Sequence, residues 1–231
     1  MPKREAQLDL DLRRRGRGGA RKGAGRPKSS KDVPHVARPE IAKRFPIHVG
    51  LRVRKDVGRL RRGPIYRAIA RALQRTLAEA GFRVAHTSIQ HNHLHFLVEA
   101  DDKAALSHGM RSLTITAALA INRACGRSGR VFEYRYSAKP ITNPRQMRNA
   151  LAYVLNNWRR HKEDLCSDAA GRSRLDPYST AIRFDGWQET PQLAVRDNYE
   201  PLPAAEPTTW LLRVGWRRHG PISAYQVPGP V

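Results

Sequence analysis

Apolar residues recur with two different periods along this chain, and the order of those periods predicts its elements. Phe45, Ile47, Val49, Leu51 and Val53 alternate with polar or small neighbours, the two-residue period of a half-buried strand. Pro64 is tolerated in a first helical turn. Behind it Ile65, Ile69, Leu73 and Leu77 recur every four residues with Tyr66 and Ala70 beside them, which predicts a helix ended by Gly81. Two apolar runs follow, Phe82 to Gln90 and His93 to Ala100, with only His91-Asn92 between them; that spacing predicts an antiparallel hairpin. Asp101-Asp102 supplies an N-cap for a second helix with Leu106, Met110, Leu113, Ala117 and Ile121 on one face. Gly126 to Gly129 breaks the chain, and Val131 to Tyr136 is predicted as a fourth strand. Asn143-Pro144 then opens a third helix, through about His161, with Met147, Leu151, Val154, Leu155 and Trp158 on its buried side.

The order β-α-β-β-α-β followed by a helix is the ferredoxin-like split pattern with one addition. The predicted class is therefore α+β, an antiparallel sheet layered with helices. Three regions are expected: an arm at 1–43, an ordered domain at 44–162 and an extension at 163–231 whose role the sequence does not give. In the extension, Asp176-Pro177-Tyr178-Ser179 and Phe184-Asp185-Gly186-Trp187 read as turns anchored by aromatics. Pro201 to Pro207 reads as a connector, and Thr209 to Arg218 as one short basic helix in which Trp210 and Trp216 are packing anchors.

Charge changes the picture. The 231 residues carry 43 Lys and Arg against 20 Asp and Glu, a formal surplus of +23, which points to a polyanionic partner, in the first place nucleic acid. The arm concentrates this charge in Gly-rich, core-less sequence that cannot offset its own ordering entropy. Its Gly25-Arg26-Pro27 step is similar to an AT-hook core, an extended Arg-bearing segment for a narrow minor groove; the alternative is a solvated tail that touches phosphates without preference. No run of 18 apolar residues predicts a membrane span, and no apolar segment backs the basic N-terminus as in a secretory signal. Cys125 and Cys166 are the only cysteines, too few for a disulfide framework, and a reduced cytoplasmic chain associated with the nucleoid is the expectation.

The string His91-Asn92-His93-Leu94-His95 carries the candidate chemistry. Side chains alternate along a strand, so His93 and His95 share one face while Leu94, Phe96 and Val98 take the other. Two imidazoles two residues apart can converge on one divalent cation or simply hydrogen-bond across a polar sheet face. On the third helix, Tyr153 and Asn157 lie off the apolar stripe, one turn apart. Asn149 and Arg160 extend that polar side, and Arg145 lies a turn further back. A tyrosine so placed either covers apolar surface or presents a phenol to a phosphate held by cations.

His93-Leu94-His95 on a strand, followed by a helix bearing Tyr153 and Asn157, resembles the single-tyrosine HUH transposases, and within them the REP-associated tyrosine transposases. The resemblance spans residues 44–162. It includes a Pro-Asn-His-hydrophobe-His string, present here as residues 91–95 with His91 in the proline's place, and an Arg-Tyr segment, here Arg135-Tyr136. Leu155-Asn156 stands where the family has a His-Leu pair, and the role of His91 is open. The resemblance implies that His93, His95 and the Asn157 oxygen bind Mg²⁺ or Mn²⁺. It also implies that Tyr153 attacks phosphorus in single-stranded DNA beside a hairpin, giving a 5′-phosphotyrosyl link and a free 3′-OH. Arg26, Arg135, Arg145 and Arg160 are the expected DNA contacts. Relatives occur as monomers and as tyrosine-swapped homodimers, and the sequence leaves both open. Two other functions use the same scaffold: a basic DNA-binding protein without turnover, and a replication-initiator or relaxase-type nickase.

Overall fold

The structure, a computed structural model, describes residues 40–165, 175–190 and 199–229. The arm up to residue 39, with Arg26, and Cys166 lie outside the described residues. Eight elements organise the remainder: β1 (Ile47–Arg52), α1 (Gly63–Thr76), β2 (Phe82–Ile89), β3 (His93–Ala100), α2 (Lys103–Cys125), β4 (Ser137–Pro140), α3 (Pro144–Arg160) and α4 (Trp210–Arg213). The four strands form one antiparallel sheet in the order β2-β3-β1-β4, the strand order of the expected ferredoxin-like pattern.

Alternation decides which side of the sheet each residue serves. Ile47, Val49 and Leu51 of β1 and Leu94, Phe96 and Val98 of β3 bury against α1 and α2, in one core with Ile65, Ile69, Leu73, Leu106, Met110 and Ile121. α2 approaches β2 so closely that a Cβ on Gly109 would stand 2.1 Å from the Phe82 ring; only glycine permits that contact. The opposite face of the sheet receives α3, whose Met147, Leu151, Val154 and Leu155 are fully buried. The helix starts follow from their caps: the Asp102 carboxylate accepts from Ala105 N at 2.7 Å, and Asn143 Oδ1 accepts from Gln146 N at 2.9 Å with Pro144 behind it.

Three elements depart from expectation. The fourth strand is Ser137–Pro140, not Val131–Tyr136. Val131 is buried and Phe132 and Tyr136 pack on the core, so this stretch is pinned largely by side chains. It meets the end of β1 at the isolated Val53–Phe132 bridge, where Glu133 N donates to Arg52 O at 2.9 Å, and through the Arg52–Glu133 ion pair at 3.2 Å. α1 stops at Thr76, whose hydroxyl donates back to Leu73 O, and Gly81, at φ +68°, instead turns the chain into β2. The basic segment from Thr209 splits into α4 and a 3₁₀ turn at Gly215–His219. Trp216 is buried as an anchor, whereas Trp210 is half exposed with the Arg218 guanidinium over its ring.

The described parts of residues 175–229 pack against this domain. Residues 178–180 pair with the outer edge of β2 through Ile89 N→Tyr178 O and Thr180 N→Thr87 O, covering an edge that would otherwise offer unpaired backbone. Phe184 packs on Trp187 and Trp216 at ring distances of 5.1 and 5.2 Å, as the aromatic turns suggested. Two buried carboxylates fasten the segment. Glu99 of β3 accepts from Thr208 N, Thr208 Oγ1 and Thr209 N at 2.7–3.0 Å, ahead of α4. Asp176 receives both Arg61 Nη2 at 2.7 Å and Arg61 Nη1 at 3.1 Å, a bidentate pair in which both side chains are nearly inaccessible. Removing Asp176 leaves the buried Arg61 charge to its longer 3.8 Å contact with Glu163 and its bond to Ile89 O, so Asp176→Ala is expected to cost about 3 kcal/mol, the lower end for breaking a buried pair. Urea unfolding would register this as a lowered midpoint.

Candidate active site

Register brings the histidines together. β1 runs antiparallel to β3 with Gly50 opposite His95 and Arg52 opposite His93, while His48 faces Leu97 on one side and Lys139 of β4 on the other. Directly opposed residues point to the same face, so His48, Arg52, His93, His95, Ser137 and Lys139 share the face that α3 covers. Gly50 forms the floor: a Cβ there would lie 2.8 Å from Ser137 Oγ and 3.9 Å from His95 Nδ1.

α3 lowers one stripe onto this floor. The Tyr153 ring meets the His95 ring edge-on at 5.0 Å and the His48 ring at 5.6 Å. Two turns further, His161, the residue that ends the helix, lies 5.1 Å from the His93 ring. Asn157 falls midway on the same stripe, at steps of four residues, and is fully buried. The tyrosine thus packs on His48 and His95 of its own chain.

Hydrogen bonding prepares the donors. His93 Nδ1 lies 2.8 Å from Asn92 Oδ1, and His95 Nδ1 lies 3.1 Å from His48 Nε2. His95 Nε2 and both amide atoms of Asn157 are buried without a hydrogen-bond partner in the structure. Each such orphan costs roughly 1–3 kcal/mol when nothing compensates it. Two imidazoles with their outer nitrogens already engaged, plus a buried amide oxygen, are a donor set that fits a divalent cation. Among the described residues no group of three or more His, Cys, Asp or Glu is arranged to hold a metal ion.

The remaining sequence candidates divide. Arg135 is exposed and lines a groove of about 570 Å³ with Phe132, Tyr134, Arg111 and Arg130. Arg145 is exposed near the start of α3, two turns from Tyr153. Arg160 donates to Pro228 O at 3.3 Å. His91, half exposed, lies 3.8 Å from Glu163. Sequence reading missed His48 and His161. His161 was legible as the next step of the 153/157 stripe. His48 was legible only as a polar position of β1, because its neighbourhood depends on strand register. Lys139 was hidden by the misplaced fourth strand.

Burial sets the protonation state. His48 and His93 are pushed down to about 4 and His95 to about 2, in each case chiefly by burial. Lys139 adds to the effect at His48; His161, Arg52 and His91 add to it at His93; the neighbouring imidazoles add to it at His95. His161 is lowered too, again first by burial and then by Arg160. The folded site therefore holds neutral imidazoles, the form that coordinates metals. In the unfolded chain the same rings take protons near pH 6.5. Stability is then complete above pH 6.5 and is lost as pH falls from there towards 4, since the unfolded state binds more protons. In EDTA-containing buffer, urea midpoints should decline over that interval, while the ring Cε1–H resonances of His48 and His93 stay at their neutral positions down to pH 5.

Comparison with known proteins bears on the family and the fold. A family model described as "Transposase IS200 like" matches residues 43–157, which contain Tyr153, His93, His95 and Asn157. A solved structure described as a REP-associated tyrosine transposase bound to a REP hairpin aligns with a TM-score of 0.51 at 16% identity, covering 76% of this chain and 99% of that one. At that identity the likeness establishes a shared fold. Among curated proteins, none matches the chain.

Proposed function

From the premise that this chain, through residues 43–157, belongs to the IS200-like transposase family, we propose that it cleaves and rejoins single-stranded DNA through a 5′-phosphotyrosyl intermediate formed on Tyr153. The observation that carries the reading is the packing of the Tyr153 ring directly on His95, at 5.0 Å, beside an orphaned His95 Nε2 and an orphaned Asn157 amide. The Tyr153 oxygen attacks phosphorus, the bond from phosphorus to the 3′-oxygen breaks, and the departing 3′-oxygen takes up a proton while the phenol gives one up. The link conserves the phosphodiester's energy, so a second 3′-OH can reverse the step without ATP.

His93, His95 and Asn157 would hold Mg²⁺ or Mn²⁺, which when bound withdraws charge from the scissile phosphate. The chain's own residues supply the rest. Arg52 and Lys139 stand on the same sheet face as the histidines and attract the phosphodiester backbone. The buried imidazoles stay neutral and keep their lone pairs. The +23 surplus makes affinity fall steeply with salt. A hairpin beside the cleavage site suits such a substrate, because it presents an unpaired phosphate without the cost of opening a duplex. The similar solved structure was itself bound to a REP hairpin. Arg135, with Tyr134 in the exposed groove beside β4, is a further phosphate and base contact on this reading.

Purified protein incubated with labelled hairpin-bearing single strands and Mn²⁺ should give an adduct that survives a denaturing gel and disappears with EDTA. Tyr153→Phe should abolish the adduct, a loss of at least about 10³-fold, as expected for removing a nucleophile, and leave DNA binding in gel shift unchanged. An adduct of equal yield in Tyr153→Phe would remove the tyrosine from the chemistry. Binding without an adduct on a panel of hairpin oligonucleotides would leave a DNA-binding protein on this scaffold.

A further inference from the structure

We propose that His48 is a positioning residue that fixes the tautomer of His95 and so aims the lone pair of His95 Nε2 into the site. The proposal rests on the reading of His95 as a metal ligand. A neutral imidazole carries one proton, and a ring that coordinates through Nε2 must keep that proton on Nδ1. His95 Nδ1 therefore needs an acceptor. The atom within reach is His48 Nε2, at 3.1 Å, with the two rings nearly parallel, 26° apart in plane and 5.1 Å between centroids.

The backbone is built for this bond. His48 and Gly50 follow each other on the site face of β1, and Gly50 is directly opposite His95. A Cβ at Gly50 would meet Ser137 Oγ at 2.8 Å while standing 3.9 Å from His95 Nδ1, so the missing side chain makes room for Ser137 beside the His48–His95 pair. The opposite polarity, with His48 donating to a bare Nδ1, would leave the His95 proton on Nε2. That N–H would point into a buried space where it has no acceptor. The observed geometry also excludes His48 from ligating through Nε2, since that atom is turned to the non-coordinating nitrogen of His95. His93 has the same arrangement with a different partner, its Nδ1 held 2.8 Å from Asn92 Oδ1. The carboxamide oxygen can only accept, so His93 also presents Nε2 bare. A ligand-orienting bond from the outer nitrogen is the usual support of a metal-bound imidazole, and its loss costs about 10–100-fold in metal affinity.

Long-range ¹H–¹⁵N spectra of ¹⁵N-histidine-labelled protein in EDTA should show His95 protonated at Nδ1 and bare at Nε2. Mn²⁺ affinity, read by electron paramagnetic resonance without DNA, should weaken about 10–100-fold in His48→Phe. It should return to within about threefold of wild type in His48→Gln, whose amide oxygen replaces the lost acceptor. His95→Ala marks the affinity of protein lacking the site. A wild-type spectrum with the proton on Nε2 overturns the proposal, and that measurement needs no variant to fold. Unchanged affinity in a folded His48→Phe overturns the role of His48 alone. Wild-type affinity no better than that of His95→Ala overturns the metal reading itself, and the role of His48 with it.

Discussion

The antiparallel register of β1 against β3 is the constraint on which the site depends. Strand side chains alternate with a period of two, so a slip of one residue would send His48 into the apolar core and Val49 to the surface that α3 covers. The register is held by the burial of Ile47, Val49 and Leu51 under α1 and α2. The site's geometry is thus enforced from the opposite face of the sheet. The same alternation that makes one face a core leaves the other free to gather His48, His93, His95, Ser137 and Lys139. Gly50, in the middle of that face, leaves the space that Ser137 Oγ enters.

The second constraint comes from above. α3 is not a surface helix with one polar side: Asn156, Asn157 and Trp158 are all buried. The described C-terminal residues cover it, with Trp216, Leu211 and Leu212 in the same core as Leu151 and Leu155. Arg148, Asn156 and Arg159 donate to the carbonyls of Gly220 to Ala224, which satisfies a backbone strand that belongs to no sheet. This fixes the rotation of α3 about its axis. Tyr153, Asn157 and His161 consequently point at the sheet, and the desolvation that keeps the imidazoles neutral follows from the same cover.

Much of this was legible in sequence because it depends on local periods. The His-Leu-His alternation assigned two faces to β3, Asn143-Pro144 marked the start of α3, and the apolar residues of α2 and α3 recur as their helical spacing required. The connector and aromatic turns were legible through residues that punctuate or anchor. What escaped is non-local. Val131 to Tyr136 has the composition of a strand, but its apolar residues are consumed in capping the core. The short polar run Ser137–Pro140 takes the ladder because it lies where β1 still offers an open edge. Tyr153 and Asn157 lie one turn apart off the apolar stripe as read, but the cover that residues 211–224 lay over the rest of the helix has no local signature in the sequence.

Buried polar groups set the energetic terms of the site. Both amide atoms of Asn157 are buried without a hydrogen-bond partner, and His95 Nε2 is equally unsatisfied. Neither adds to stability as it stands, since an unmade buried hydrogen bond is a net penalty. Elsewhere the chain meets the same problem with protein partners: Glu99 takes hydrogen bonds from Thr208 and Thr209, and Asp176 takes a bidentate arginine. The difference lies in where the unsatisfied atoms are. Single unpaired atoms occur elsewhere too, at Thr87 Oγ1, Gln90 Oε1, Trp158 Nε1 and Thr209 Oγ1, whereas on the stripe that carries Tyr153 both amide atoms of Asn157 are unpaired, with His95 Nε2 unpaired on the sheet below. A binding protein that reads only phosphates gains nothing from that deficit. On the proposed function, a cation held by His93, His95 and Asn157 would satisfy those atoms and recover part of the free energy withheld on folding.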